Sequence, residues 1–135
     1  MRIALDSSVL IAANISRAGT CAELLEDLLL HHDLVISEFI LEELNRTLIE
    51  KFRYPRRDAD QVVTFLRRVG TMVVPADLPA DLCRDPEDMP ILGTAVAGKC
   101  ALLVSVDRDL LDVQAIQNIP IIRPGEFWRR TAEET

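Results

Sequence analysis

The chain has 135 residues, a usual size for one folded domain, so we expect a single domain over residues 1–135. Its hydrophobic fraction of 49% excludes a disordered chain. The formal net charge of −7 argues against nonspecific nucleic-acid binding, which depends on neutralising phosphates with Lys and Arg. It does not exclude a site where metal ions supply the positive charge.

The sequence favours a cytoplasmic protein without a membrane partner. No apolar run approaches the roughly 18 residues of a membrane span, and the N-terminus lacks the features of a signal peptide. The cysteines, Cys21, Cys83 and Cys100, are widely spaced and form no C-x-x-C pair. We expect them to be reduced and buried, as in a cytosolic protein.

Strand-like and helix-like segments alternate along the chain. Short apolar runs predict five strands, at residues 3–5, 34–36, 71–74, 102–106 and 120–122. Apolar residues at helical spacing predict helices at residues 22–31, 38–52, 58–69, 88–99, 110–116 and 125–133. Ser37 and Asp58 are the expected caps of two of them. The alternation indicates an α/β fold, with a mostly parallel central sheet of about five strands and helices on both faces.

Two acids follow predicted strands directly. Asp6 comes after Ile3–Leu5, and Asp107 comes after the fourth strand. Ligands of open α/β sheets bind at the carboxyl ends of the strands, so both positions are candidates for chemistry. Each acid is also placed to cap a helix or to begin a turn, which is the ordinary structural interpretation.

Two further acids fall on predicted helices. Each residue turns a helix by about 100°, so Glu43 lies at the border of the apolar stripe while its neighbour Glu42 points to water. Asp88 lies on the apolar face of its helix, where an acid is costly unless it is paired or bound to metal. Asp88 is equally suited to cap that helix, and Asp85 competes with it for a role at the same loop.

Asp6, Glu43, Asp88 and Asp107 are therefore the predicted catalytic and metal-binding set. Carboxylates gathered in one place raise each other's pKa unless a cation is present, and an oxygen-only set favours Mg²⁺ or Mn²⁺. Such a site lowers the pKa of water and offsets phosphate charge. Auxiliary roles are expected for four neighbours: Asp85, Asp109, Ser8 and Ser105.

The densest basic region of the chain includes Arg53, Arg56 and Arg57. A solvated helix face is the usual reason for such a run. Contact with substrate phosphates is the functional alternative.

Four segments resemble the PIN domain family. They are Leu5-Asp6-Ser7-Ser8-Val9-Leu10, the stretch from Ser37 to Leu44, the stretch from Asp85 to Leu92, and Val104-Ser105-Val106-Asp107-Arg108-Asp109. The tail from Ile119 to Phe127 is similar to the closing segment of PIN-type (VapC-like) toxin components of toxin–antitoxin systems. The resemblance implies a three-layer α/β/α sandwich with the four acids above in its active site. It implies Mg²⁺- or Mn²⁺-dependent endoribonuclease activity on RNA, a cognate antitoxin partner and a homodimer.

Two other classes compete with a nuclease. A non-catalytic interaction module on the same fold would keep the acids for partner contacts, but retention of all four acids weighs against it. A phosphoacceptor receiver domain would need an acid pair near the first strand and a Lys after a late strand. Here the first strand carries only Asp6, and no Lys follows Asp107.

Overall fold

The computed structural model describes residues 1–132. Its strands are β1 (Arg2–Leu5), β2 (Asp33–Ile36), β3 (Thr71–Met72), β4 (Leu102–Val104), β5 (Ala115–Ile116) and β6 (Ile119–Ile122). Its α-helices are α1 (Ser7–Ile15), α2 (Thr20–His31), α3 (Glu38–Glu50), α4 (Arg56–Val69), α5 (Met89–Ala97), α6 (Arg108–Val113) and α7 (Phe127–Ala132). Short 3₁₀ helices, Pro86–Asp88 and Pro124–Glu126, precede α5 and α7.

The strands form one sheet in the order β3-β2-β1-β4-β6-β5. All neighbouring pairs are parallel except β5 with β6. In the central strands, consecutive residues such as Ile3, Ala4 and Leu5 are all 0% exposed. Because successive side chains point to opposite faces of a sheet, both faces must be covered. The fold is therefore a three-layer α/β/α sandwich, as expected from the sequence.

The sheet has one more strand than predicted, because the helix expected over residues 110–116 ends at Val113 and residues 115–116 form a strand. The helix α6 ends at Val113, where Gln114 adopts a positive φ of 70°. The chain then turns back through Gln117 and Asn118, whose φ angles of 47° and 69° are also positive. Two such residues make the tight turn that suits an antiparallel hairpin, so β5 pairs with β6.

Other boundaries also differ from the prediction. The third strand ends at Met72 and the fourth at Val104. The helix α4 begins at Arg56 after Pro55, so Asp58 is not its cap but lies in its first turn. The predicted helix over residues 88–99 starts as a 3₁₀ turn and continues as α5 to Ala97. The last predicted helix is a 3₁₀ turn followed by α7, and its predicted end, Glu133, lies outside the described residues.

The helix α1 was not predicted at all. It begins directly after β1, with Asp6 as its cap, and most of its side chains are apolar. A helix that is apolar nearly all round shows little periodicity, so its sequence looked like a continuation of the preceding apolar run.

Other sequence expectations are confirmed. Ser37 caps α3, where its hydroxyl accepts a hydrogen bond from the Ile40 N–H at 3.4 Å. The three cysteines are free and buried. Within residues 1–132, no helix combines the length and the apolar character that crossing a bilayer requires.

Candidate metal centre

Asp6 and Asp107 lie side by side because their strands are neighbours. The strands β1 and β4 pair in parallel, and the Asp6 N–H continues the ladder to the Val104 carbonyl at 3.2 Å. Asp6 caps α1 by accepting from the Val9 N–H at 3.2 Å, and Asp107 caps α6 by accepting from the Asp109 N–H at 2.8 Å. The capping role foreseen for both acids is therefore real. It leaves further oxygen lone pairs of each carboxylate for another ligand.

Two serine hydroxyls hold these carboxylates in place. Ser105 is fully buried and donates to Asp6 Oδ2 at 2.5 Å, while it accepts from the Asp107 N–H at 2.9 Å. Ser8 donates to Asp6 Oδ1 and accepts from the Val106 N–H at 3.3 Å. The two auxiliary serines therefore link the end of β1 to the end of β4.

Glu43 is half-buried on α3, whereas Glu42 is exposed. The Ser7 hydroxyl donates to the Glu43 carboxylate and so joins α3 to the start of α1. Ser7 has a place in this site that the sequence interpretation missed. Its position directly after Asp6 was the available signal.

Asp88 is only 7% exposed and ends the 3₁₀ turn before α5. Its side chain makes no capping hydrogen bond to α5. The pKa of Asp88 is raised from 3.8 to about 7, mainly by burial and then by the negative charges of Asp107, Asp85, Asp6 and Glu43, in that order. Burial, and more weakly Asp107, also raises the pKa of Asp6 against the opposing hydrogen bonds. Asp88 thus experiences the charge of all the other predicted ligands.

One closer group of acids lies beside this set. Asp85, Asp88 and Asp109 each place a carboxylate oxygen within 4.8 Å of the others. In the described part of the chain, Asp6, Glu43 and Asp107 do not join them within that limit. The two acids predicted as auxiliary therefore form a close group with Asp88. Asp85 also caps the 3₁₀ turn by accepting from the Glu87 N–H at 3.0 Å.

The four predicted ligands have no cationic side chain to balance them. Among residues 1–132, none of these four carboxylates has a Lys, Arg or His nitrogen within 4.0 Å. Arg84 does lie at the rim, 3.6 Å from Asp109 and 3.3 Å from Asp112, but its side chain is 73% exposed. An oxygen-only, uncompensated donor set fits a hard divalent cation such as Mg²⁺ or Mn²⁺.

A buried thiol also reaches this region. The Cys83 sulfur lies 4.0 Å from Asp88 Oδ2 and 3.7 Å from the Asp109 carbonyl oxygen. Burial raises the pKa of this thiol, so it stays a neutral, weak donor. The sequence interpretation identified Cys83 only as a buried apolar residue, because nothing in its spacing points to the acids.

The predicted substrate arginines lie elsewhere. Arg53, Arg56 and Arg57 are exposed in the α3–α4 connection and the first turn of α4. The adjacent Tyr54 hydroxyl donates to the Asn14 carbonyl at 3.2 Å, at the end of α1 opposite to Asp6. Nine residues of helix span about 13 Å, so these arginines stand well away from the carboxylates.

Comparison with known proteins gives a family match and several structural neighbours. A family model described as PIN domain matches residues 2–109. No curated protein matches the sequence.

Three of these structural neighbours are distant from this chain in sequence. One neighbour is VapBC2 from Rickettsia felis, in a complex with a DNA fragment from its promoter. It is 15% identical to this chain, the match covers 91% of this chain and 98% of that chain, and the TM-score is 0.64. VapBC-1 from nontypeable Haemophilus influenzae is 16% identical, with coverages of 93% and 99% and a TM-score of 0.65. PAE2754 from Pyrobaculum aerophilum is 18% identical, with coverages of 98% and 90% and a TM-score of 0.63. At these identities the likeness establishes a shared fold.

Proposed function

This chain belongs to the PIN domain family, and we propose that it is a divalent-metal-dependent endoribonuclease, the toxin component of a type II toxin–antitoxin system. The observation that carries the proposal is the gathering of Asp6, Glu43 and Asp107, buried or half-buried, around Asp88, with no basic side chain of residues 1–132 paired to any of the four. A structural ion pair would include a basic partner. A site built to take up a cation from solution would not.

In this proposal Asp6, Glu43, Asp88 and Asp107 hold Mg²⁺ or Mn²⁺. When bound, the ion supplies a water of lowered pKa and offsets the charge of a phosphodiester. The hydroxyls of Ser8 and Ser105 fix the two oxygens of Asp6, so that the carboxylate loses little freedom on binding. The Ser7 hydroxyl holds one oxygen of the Glu43 carboxylate in a similar way.

The remaining residues supply charge and substrate contacts. Asp85 and Asp109 are auxiliary acids that add negative charge beside Asp88 and strengthen its affinity for a cation. Arg53, Arg56 and Arg57 are proposed to contact the phosphates of a longer RNA beyond the cleavage site.

The partners follow from the family and its structural neighbours. Two of the neighbours are VapBC proteins, which supports a cognate antitoxin as the partner of this chain. We also propose that the 135 residues act as a single domain in the cytoplasm and assemble as a homodimer.

The test compares wild type with Asp6→Asn on single-stranded and structured RNA, with and without Mn²⁺. Asn caps helices as well as Asp does, so the variant should keep its fold and its melting temperature. We expect wild type to cleave RNA only with the metal and Asp6→Asn to lose at least about 100-fold in rate, since even indirect disturbance of a metal ligand costs roughly 10–100-fold.

The matched control is Glu42→Gln, which removes an exposed acid beside Glu43 and should leave the rate unchanged. Equal cleavage by wild type and Asp6→Asn would remove Asp6 from the mechanism. No cleavage by folded wild type with any RNA and metal would favour a non-catalytic PIN-fold interaction module.

A further inference from the structure

An apolar groove lies between the first turn of α3, the loop that follows β3, and the start of α5. Its volume is about 500 Å³, within the roughly 300–1,000 Å³ of small-molecule sites. Nine residues from these segments and from the 3₁₀ turn before α5 line it, among them Phe39, Asp77, Leu78, Pro86, Met89 and Pro90.

The groove shares two chain segments with the candidate metal centre. Phe39 lies one helical turn before Glu43, so both side chains project from the same face of α3. Pro86 and Met89 stand on either side of Asp88 in the chain. The groove and the candidate metal centre are therefore built from the same two segments of the chain.

The residues that line the groove favour an uncharged, planar ligand. An aromatic ring, three proline rings and a thioether form flat, uncharged walls that suit a planar group. No Lys, Arg or His takes part in the lining, so the groove does not suit a phosphate or an acidic peptide. Its one charged side chain is the exposed carboxylate of Asp77, which only accepts hydrogen bonds.

We propose that this groove binds a guanine base of a single-stranded RNA, next to the phosphate that is cleaved. Single-stranded RNA is read by stacking bases on aromatic side chains and by hydrogen bonds to their edges. Guanine presents two adjacent donors, N1–H and the N2 amino group, which match the two oxygens of one carboxylate. The inference rests on the proposed nuclease function and assigns its base preference to Phe39 and Asp77.

The closing experiment observes the groove without relying on catalysis. Methyl resonances of Leu78 and Met89 are followed by NMR in metal-free protein while guanosine 5′-monophosphate is added, and then inosine 5′-monophosphate. The two nucleotides differ only in the N2 amino group. We expect saturable shifts of both methyl groups with the guanine nucleotide, and binding at least about tenfold weaker with the inosine nucleotide.

Two pairs of variants assign the contacts. Asp77→Asn should abolish the difference between the two nucleotides, whereas Asp81→Asn, an exposed acid of the same loop outside the groove, should preserve it. Phe39→Leu should weaken both nucleotides equally by removing the stacking face while keeping an apolar side chain. Phe65→Ala, an exposed phenylalanine on α4 that does not line this groove, should change neither.

The outcomes separate this inference from the nuclease proposal. Absent methyl shifts, or equal shifts with both nucleotides, would overturn the base site even if RNA is cleaved in Mn²⁺. Shifts produced by N-acetyl-leucinamide but not by the guanine nucleotide would assign the groove to a protein partner and also overturn it. Selective binding of the guanine nucleotide by a protein that cleaves no RNA would uphold the groove and refute the nuclease.

Discussion

Among single residues, Asp88 has a strongly raised pKa. Its pKa lies near 7 in the folded protein because of burial and neighbouring negative charge, and near its ordinary value in the unfolded chain. Between about pH 4 and pH 7 the folded state therefore binds a proton that the unfolded state has released. By linkage, this group's contribution to stability is fully present below pH 4 and is lost as the pH rises through the folded pKa. The raised pKa of Asp6 acts in the same direction.

We predict that Asp88→Asn makes the metal-free protein less sensitive to pH. Wild type should lose unfolding free energy between pH 5 and pH 7 by up to about 1.4 kcal/mol per pH unit from this group, the limit for one proton. Urea titrations of both proteins across pH 5–8 measure the difference. Asp81→Asn, which removes an exposed acid, serves as the control. An unchanged pH slope in Asp88→Asn would show that Asp88 titrates normally.

At the level of elements, Gly93 allows α5 to pack closely on the loop after β3. The Gly93 carbonyl accepts from the Ala76 N–H at 3.0 Å, and a Cβ placed on Gly93 would lie 2.5 Å from the Ala76 carbonyl oxygen. The atom in the way belongs to the backbone, so it cannot rotate aside as a side chain would. The loop itself would have to move, together with Asp77.

We predict that Gly93→Ala destabilises the protein by about 1–2 kcal/mol, since the overpacking cost exceeds the gain in helix propensity of about 1 kcal/mol. It should also weaken binding of guanosine 5′-monophosphate. Gly125→Ala is the matched control, because a Cβ there meets nothing within 4 Å. Chemical denaturation measures both variants. A Gly93→Ala protein as stable as Gly125→Ala would mean that the loop adapts without cost.

The elements also show how far the sequence predicts this fold. The buried strands can be predicted from the sequence because an apolar run ends abruptly at an acid. The run of β1 ends at Asp6, and the run of β4 ends near Asp107. The helix α1 was missed because it is apolar on nearly every side. The strand β5 was missed because two residues carry no period, and its turn uses Gln117 and Asn118 without a glycine.

The candidate site was predictable only in part, for a physical reason. Acid positions are visible in the sequence, but which acids approach most closely depends on loop geometry. Asp85 and Asp109 were expected to be auxiliary, yet they are the two acids that form a close group with Asp88. The contact of Ser7 with Glu43 depends on how α1 packs against α3, and no local spacing encodes that packing.

For the whole molecule, the order of the strands matters more than any single contact. Because β1 lies between β2 and β4, the chain ends of distant segments meet at one edge of the sheet. The hydrogen bond from Ser105 to Asp6 joins residues 99 positions apart. Asp6 and Asp88 are buried at this edge, where an uncompensated charge is costly. We therefore expect this edge of the fold to attract a cation.

The position of the expected cation site is measured directly by anomalous diffraction from a crystal soaked in Mn²⁺. The account predicts an anomalous peak at about 2.0–2.3 Å from carboxylate oxygens of Asp6, Asp88 and Asp107, at a distance typical of hard cations with oxygen ligands. The same soak of Asp6→Asn should show a much weaker peak. A peak bound only by Asp85 and Asp109, or no peak in this region at saturating Mn²⁺, would contradict the proposed centre.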